Sequence, residues 1–275
     1  ADIRAQLERS GARLINGKAR FADEQTGHTT HNIEVVTADG ETETISCDMV
    51  LVSVGASPRV LKGAEPDGER ILNWRQMYDL QDLPSHLIVV GSGVTGAEFV
   101  SAFAELGVKV TMVASRDRIL PHDDADAADV LEAVLADRGV QLEKDARVER
   151  VENTGDGVVV HTTDGRAIAG SHVMMSIGSI PNTADLNLEA AGVETTPSGH
   201  IHVDRVSRTN VAGIYAAGDC TDLMPLASVA AQQGRTAIDH ALGEGVSPIR
   251  LKTVGNAVFT RPEIAAVGVT EQQIR

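Results

Sequence analysis

The sequence predicts an α/β fold made of two parallel-sheet domains of one kind, each carrying a β-meander. Three observations carry this. Leu87-Ile88-Val89-Val90 runs directly into Gly91-Ser92-Gly93-Val94-Thr95-Gly96, a G-x-G-x-x-G. A helical pattern from Val94 to Leu106 opens on those glycines, stops at Gly107, and is followed by a second apolar strand, Val108 to Val113. Finally, Val35-Val36-Thr37-Ala38-Asp39-Gly40 and Met49 through Val54-Gly55-Ala56-Ser57-Pro58 recur as Val159-Val160-His161-Thr162-Thr163-Asp164-Gly165 and Val173 through Ile177-Gly178-Ser179-Ile180-Pro181.

The first two observations define a βαβ unit of about 30 residues, the Rossmann-like dinucleotide fingerprint. Gly91 permits the tight turn, Gly93 lets backbone approach a pyrophosphate, and Gly96 lets helix and strand pack closely. Free N–H groups and the positive end of the helix dipole then face the diphosphate. A Gly-rich turn of another α/β protein is the alternative. The third observation is an internal repeat. Its second copy follows the fingerprint, so by symmetry its first copy belongs to another such domain, whose fingerprint is expected upstream of Ala1. Two unrelated meanders with D-G turns are the alternative. On this reading the fold is truncated at both ends.

Taken in order, Asp2 to Ser10 reads as a helix stopped by Gly11. Strands follow at Arg13–Ile15, Ala19–Phe21 and Asn32–Thr37, then the Asp39-Gly40 hairpin turn and strands Glu43–Cys47 and Met49–Val54. A loop with Pro66 and Gly68 leads to a short helix, Trp74–Asp79, and Leu83-Pro84 reads as a linker. Beyond the fingerprint come a helix at Asp123–Arg138, a strand at Val140–Glu143, a meander of Arg147–Glu152, Val158–Thr163 and Ala167–Ile168, and a strand at Val173–Ile177. Then follow a strand at His200–Val203, the stretch Thr209 to Asp219, a helix at Leu226–Leu242, and strand runs at Thr253–Phe259 and Ile264–Val269.

The 275 residues suffice for two domains with a core. A net charge of −15 argues against nucleic acid, which requires a basic footprint. No apolar run approaches the roughly 18 residues of a membrane span. Residues 1–10 are polar, and Cys47 and Cys220 stand far apart with no C-x-x-C, which fits reduced, cytoplasmic thiols. The nine histidines show no metal-ligand spacing, so no metal site is expected.

In this order the pieces resemble the two-dinucleotide flavoprotein reductases, the lipoamide dehydrogenase and glutathione reductase family. In detail, Val89 to Val100, Pro225 to Ala231 and His240 to Leu251 resemble its actinobacterial NAD(P)H quinone reductase branch. The resemblance implies a FAD-binding domain in residues 1–82 and 200–250, an NAD(P)-binding domain in 83–199, and the start of a dimerisation domain in 251–275. It implies FAD contacts at Ala19, Ser53, Val54, Gly55, Asp219, Pro225, Leu226, Ala227 and Ser228. Asp219 would hold the ribityl chain; its plainer role is a helix N-cap. Toward NAD(P) it implies Gly91, Ser92, Gly93, Val94, Thr95 and Gly96, with Val148, Gly178 and Glu98. Glu98 would approach the nicotinamide; its plainer role is a charge favourable to the helix dipole.

An NAD site usually carries an acid at the end of the second strand for the ribose 2′-OH. Ala114 stands there, followed by Ser115 and Arg116, so a 2′-phosphate is not repelled and Arg116 can pair with it, with Arg118 as a helper. NADPH is therefore expected at least as well as NADH. The implied reaction is hydride transfer from NAD(P)H to FAD and then reduction of a quinone, in a homodimer, with no catalytic side chain required in this stretch. A disulfide reductase with an upstream cysteine pair, and a non-catalytic dinucleotide sensor, are the competing readings.

Overall fold

A computed structural model describes residues 2–24 and 30–275. The chain folds as two compact units, one formed by Ala1–Ala56 and Pro181–Arg250, the other by Ser57–Ile180 and Leu251–Arg275.

The second unit is built on a five-stranded, all-parallel sheet in the order Ile71–Asn73, His172–Met175, His86–Val90, Lys109–Val113, Gln141–Glu143. The fingerprint strand His86–Val90 lies at its centre, and both of its faces are covered. Leu87 and Val89 join one core with Ala97 and Val100 of the fingerprint helix and Leu131 and Leu135 of the next helix. Ile88 and Val90 join a second core with Val160, Val173 and Met175, beneath the antiparallel meander Val148–Asn153, Val158–Thr162, Ala167–Gly170. Burial on both faces is why this strand reads as an unbroken apolar run rather than an alternation. Each such side chain contributes about 1.5–3 kcal/mol. Thr111, polar and fully buried in the neighbouring strand, donates to Gln141 Oε1 at 3.1 Å and accepts from His86 Nε2 at 2.8 Å.

The first unit carries the other meander, Gly17–Phe21, His31–Thr37 and Thr42–Cys47, with Gly40 at a φ of +83° in the hairpin turn. Beyond it, Val50–Val52 pairs in parallel with Ile214–Ala216. Their core gathers Phe21, Val52, Leu188, Val193, Ile201, Ile214 and Cys220. The long helix here is Ala227–Ala241.

Several expected elements differ. Residues 13–15 form no strand; Arg13 finds Glu43 only through its side chain, and Leu14 lies exposed. Residues 200–203 reduce to Ile201, which bridges Thr195 and Thr221 singly. The short helix is a 3-10 turn at Gln76–Asp79. Ile71–Asn73, expected as loop, is the sheet's edge strand, and Asp67 starts it by accepting the N–H groups of Glu69, Arg70 and Ile71. That strand places residues 57–82 with the fingerprint unit. Leu188 and Val193 pack in the other core, which places 181–199 there. Residues 251–275 belong to the fingerprint unit as the hairpin Gly255–Val258 and Ile264–Val267 with a capped turn of helix, Glu271–Ile274.

Candidate functional site

In the fingerprint unit the three glycines have three different environments. Gly91 sits at φ +113°, and a Cβ there would lie 2.3 Å from the Ser176 carbonyl oxygen. A Cβ on Gly96 would lie 2.1 Å from the Gly91 carbonyl oxygen. The turn and the helix–strand contact therefore require these two glycines. Gly93 is exposed at an ordinary φ of −76°, and a Cβ would meet nothing within 4 Å. No contact within the unit demands glycine at 93, so the open space there fits an approaching ligand. Gly93 is also the N-cap of helix Val94–Glu105, which no side chain caps. Its first N–H groups, with Val94 exposed and Thr95 half-buried, form a cradle for an anion.

The strand Lys109–Val113 ends beside this cradle. Ala114 is buried, with its N–H donating to Glu143 and its carbonyl accepting from Ala146. Ser115 and Arg116 are exposed, and among the described residues the Arg116 guanidinium has no hydrogen-bond or ion-pair partner. It lines a cavity of about 440 Å³ together with Arg118, Asp123, Asp124 and Arg275. The Arg118 Nη2 donates to the carbonyls of Pro121 and Asp123. Burial pushes the Asp123 carboxyl above its ordinary range, with His122 and Arg118 opposing.

Val148 is buried, in one core with Ala146 and Val151. Glu98 lies beyond the helix's first turn, so it is no dipole charge there; its Oε1 accepts the Phe259 N–H at 2.9 Å. The next turns act likewise. Ser101 Oγ accepts the Arg261 N–H at 3.0 Å, and Glu105 pairs with the Arg261 guanidinium at 3.6 Å. These contacts to the hairpin join residues far apart in the chain, and no local pattern announced them. Gly178 keeps its place just past the strand His172–Met175, at φ +94° with open space where a Cβ would stand.

In the other unit, Ala19, Ser53 and Val54 line a cavity of about 350 Å³ with Phe21, Val52 and Leu186. Gly55 follows at φ +66°. Asp219 is exposed, and among the described residues its carboxylate accepts no hydrogen bond. The N-cap role is overturned, since helix Ala227–Ala241 starts well downstream, with Leu226 as its uncapped N-cap. Pro225, Ala227 and Ser228 are exposed at that helix start. A free carboxylate, an uncapped helix end and an apolar cavity are a donor set suited to a hydroxyl-bearing, anionic, ring-containing ligand.

The family model for pyridine nucleotide-disulphide oxidoreductases matches residues 1–234. The chain belongs to this family. It is 61% identical over 274 residues to a protein of Mycobacterium tuberculosis named NAD(P)H dehydrogenase (quinone), an alignment covering 100% of this chain and 56% of that one. It is 33% identical to a soluble pyridine nucleotide transhydrogenase of Colwellia psychrerythraea, covering 94% of this chain and 54% of the other. Among solved structures, LpdA from M. tuberculosis superposes with a TM-score of 0.94 at 60% identity, covering 99% of this chain and 60% of that one. The HOCl-induced flavoprotein disulfide reductase RclA from Escherichia coli follows with 0.84 at 30% identity, covering 96% and 59%. The chain spans about half the length of the curated relatives it matches. Among the described residues of this pyridine nucleotide-disulphide oxidoreductase, both cysteines are free thiols, no helix is long and apolar enough to cross a membrane, and no group of three or more His, Cys, Asp or Glu could hold a metal.

Proposed function

We propose that this protein oxidises NADPH with FAD and reduces a quinone-type acceptor. The observation that carries the nucleotide half is the open ground at Gly93 together with an exposed Arg116 that has no ion-pair partner among the described residues. The fingerprint N–H groups would take the pyrophosphate, and Arg116 with Ser115 would take the ribose 2′-phosphate. Ala114 leaves no carboxylate to repel that phosphate. In the other unit Asp219 would accept hydroxyl hydrogen bonds from FAD, with Ala19, Ser53, Val54 and Gly55 along its length and Pro225 to Ser228 near its ring. When bound, FAD supplies the two-electron chemistry, and the chain's own residues bind and orient. The acceptor is assigned from the 61% identical relative named as a quinone dehydrogenase. The two free thiols, one of them fully buried as Cys220, give no support to a disulfide relay between them.

The protein works as a homodimer in the cytoplasm on this reading. Phe259, Val267, Val269 and Ile274 expose apolar surface on and around the hairpin Gly255–Val258 and Ile264–Val267, a face suited to pairing subunits. Anaerobic addition of NADPH should bleach the flavin absorbance of the purified protein, and a benzoquinone should restore it. Bleaching followed by reoxidation only with lipoamide would favour the disulfide reductase, and no bleaching would favour a sensor. Sedimentation checks the dimer.

A further inference from the structure

The loop that carries Arg116 is held at several points by groups outside it. Its start continues the sheet edge: Ala114 exchanges hydrogen bonds with Glu143 and Ala146, and the Arg116 carbonyl accepts the Asp145 N–H at 3.1 Å. Its far side turns at Arg118, Ile119 and Leu120. The Leu120 N–H donates to the Ser92 carbonyl at 2.7 Å, and Ser92 Oγ donates to the Arg118 carbonyl at 3.4 Å. Leu120 sits at φ +45°, a left-handed conformation costly for a side chain of its kind, with the side chain buried. Such a conformation persists only when its surroundings over-determine it.

Glu132 is the group that closes this arrangement. It projects from helix Ala125–Asp137 with its side chain 13% exposed. One carboxylate oxygen accepts the Ile119 N–H at 2.8 Å, and the other pairs with Lys144 Nζ. Lys144 stands within segment 143–146, against which the loop's first half is pinned. A single carboxylate thus joins the far side of the Arg116 loop to Lys144, in the segment that holds its near side, yet it does not line the cavity that Arg116 faces.

We propose that Glu132 is a positioning residue for nucleotide selection: it holds the loop so that Arg116 is presented to the 2′-phosphate, without touching the nucleotide itself. The inference rests on the reading of Arg116 given above. It makes a claim opposite in sign to simple electrostatics. Removing a carboxylate, and so freeing the Lys144 ammonium, would strengthen the binding of a phosphate if charge alone mattered. Removing a staple weakens it.

The test uses the flavin-loaded protein, with calorimetric titration of NADP⁺ and NAD⁺ and with hydrogen exchange read at the loop amides. Glu132→Ala should weaken NADP⁺ about tenfold, the scale of one hydrogen bond to a charged acceptor, and move NAD⁺ less than about twofold. Exchange at Ile119 and Leu120 should rise. Glu132→Gln keeps an acceptor for the Ile119 N–H and should restore slow exchange and most of the NADP⁺ affinity. In an Arg116→Ala background, Glu132→Ala should have no further effect on NADP⁺. Tighter NADP⁺ binding by Glu132→Ala, equal weakening of both nucleotides, or unchanged exchange at Ile119 would overturn the proposal. If Arg116→Ala alone leaves the NADP⁺ to NAD⁺ ratio unchanged, it is the reading of Arg116 that falls, and Ile119 exchange then decides the staple by itself.

Discussion

The two meanders were written from one sequence pattern, and the turns that follow them are alike. Each meander has three antiparallel strands, a D-G turn, and a following parallel strand that ends in a glycine of positive φ, Gly55 in one and Gly178 in the other. Both glycines have open space where a Cβ would stand. Set against them, the fingerprint turn separates what a glycine does by its neighbours from what it does by its backbone. Gly91 is crowded by the carbonyl of Ser176, next to the end of the strand, whereas Gly55 has the unusual φ and no crowding.

The sharpest way to break the comparison is to put the same methyl group on both. Gly91→Ala combines left-handed strain with a collision against backbone and should cost about 3–5 kcal/mol. Gly55→Ala has only the strain and should cost about 1 kcal/mol. Urea unfolding of the two variants checks this, and equal losses would mean that the crowding at Gly91 adds nothing to the backbone strain.

The two charges proposed to meet ligands offer the next comparison, one in each unit. Arg116→Ala should lower kcat/KM for NADPH about 10- to 150-fold and leave NADH nearly unchanged, since one charged hydrogen bond contributes roughly 1.5–3 kcal/mol. Stopped-flow reduction with each nucleotide measures it; equal losses would remove the assignment. Asp219→Ala should weaken flavin retention on the same scale, while the unfolding midpoint of the flavin-free protein stays put, because Asp219 caps no helix. Flavin absorbance per chain reads the first effect, and a fall of about 1 kcal/mol in the flavin-free protein would return Asp219 to a capping role.

The smallest effect concerns Asp67, which starts the edge strand Ile71–Asn73. Burial raises its pKa, but the N–H groups of Glu69, Ile71 and Arg70 and the Asn153 amide outweigh this and hold the carboxyl below its usual range. Its folded pKa therefore lies below the unfolded value of about 3.9. The stabilisation is fully present above that value and is lost as pH falls through the folded pKa. Asp67→Ala should cost about 1–2 kcal/mol at pH 7, and the difference from the parent should shrink below about pH 4. A pH series of unfolding midpoints with a constant difference would assign the effect to something other than the carboxylate.

Most of the architecture was legible because it rests on strong local signals. Buried parallel strands such as Leu87 to Val90 write themselves as apolar runs, and glycines mark the turns. The edge strand Ile71–Asn73 was not legible: three residues carry no period, and a side-chain turn at Asp67 starts it. Arg13–Ile15 looked like a strand by composition and lacks a ladder partner. In the fingerprint turn, the need for glycine at 91 and 96 was readable from spacing. The true partners of Glu98 and Arg118 were not, because a hydrogen bond to a carbonyl or an N–H leaves no mark on the partner's identity.

The row formed by Glu98, Ser101 and Glu105 constrains how this protein can change over generations. These residues stand on the helix that opens at the fingerprint, and they grip Phe259 and Arg261 in the turn of the hairpin. A mutation that shifts the helix also loosens the hairpin, and a mutation that reshapes the hairpin's turn disturbs the helix. The fingerprint helix and the hairpin surface therefore do not drift independently. A lineage that alters one must carry a compensating substitution across this row, and a library that varies positions 98, 101 and 105 together with 259 and 261 should yield functional variants that a scan of single positions never reaches.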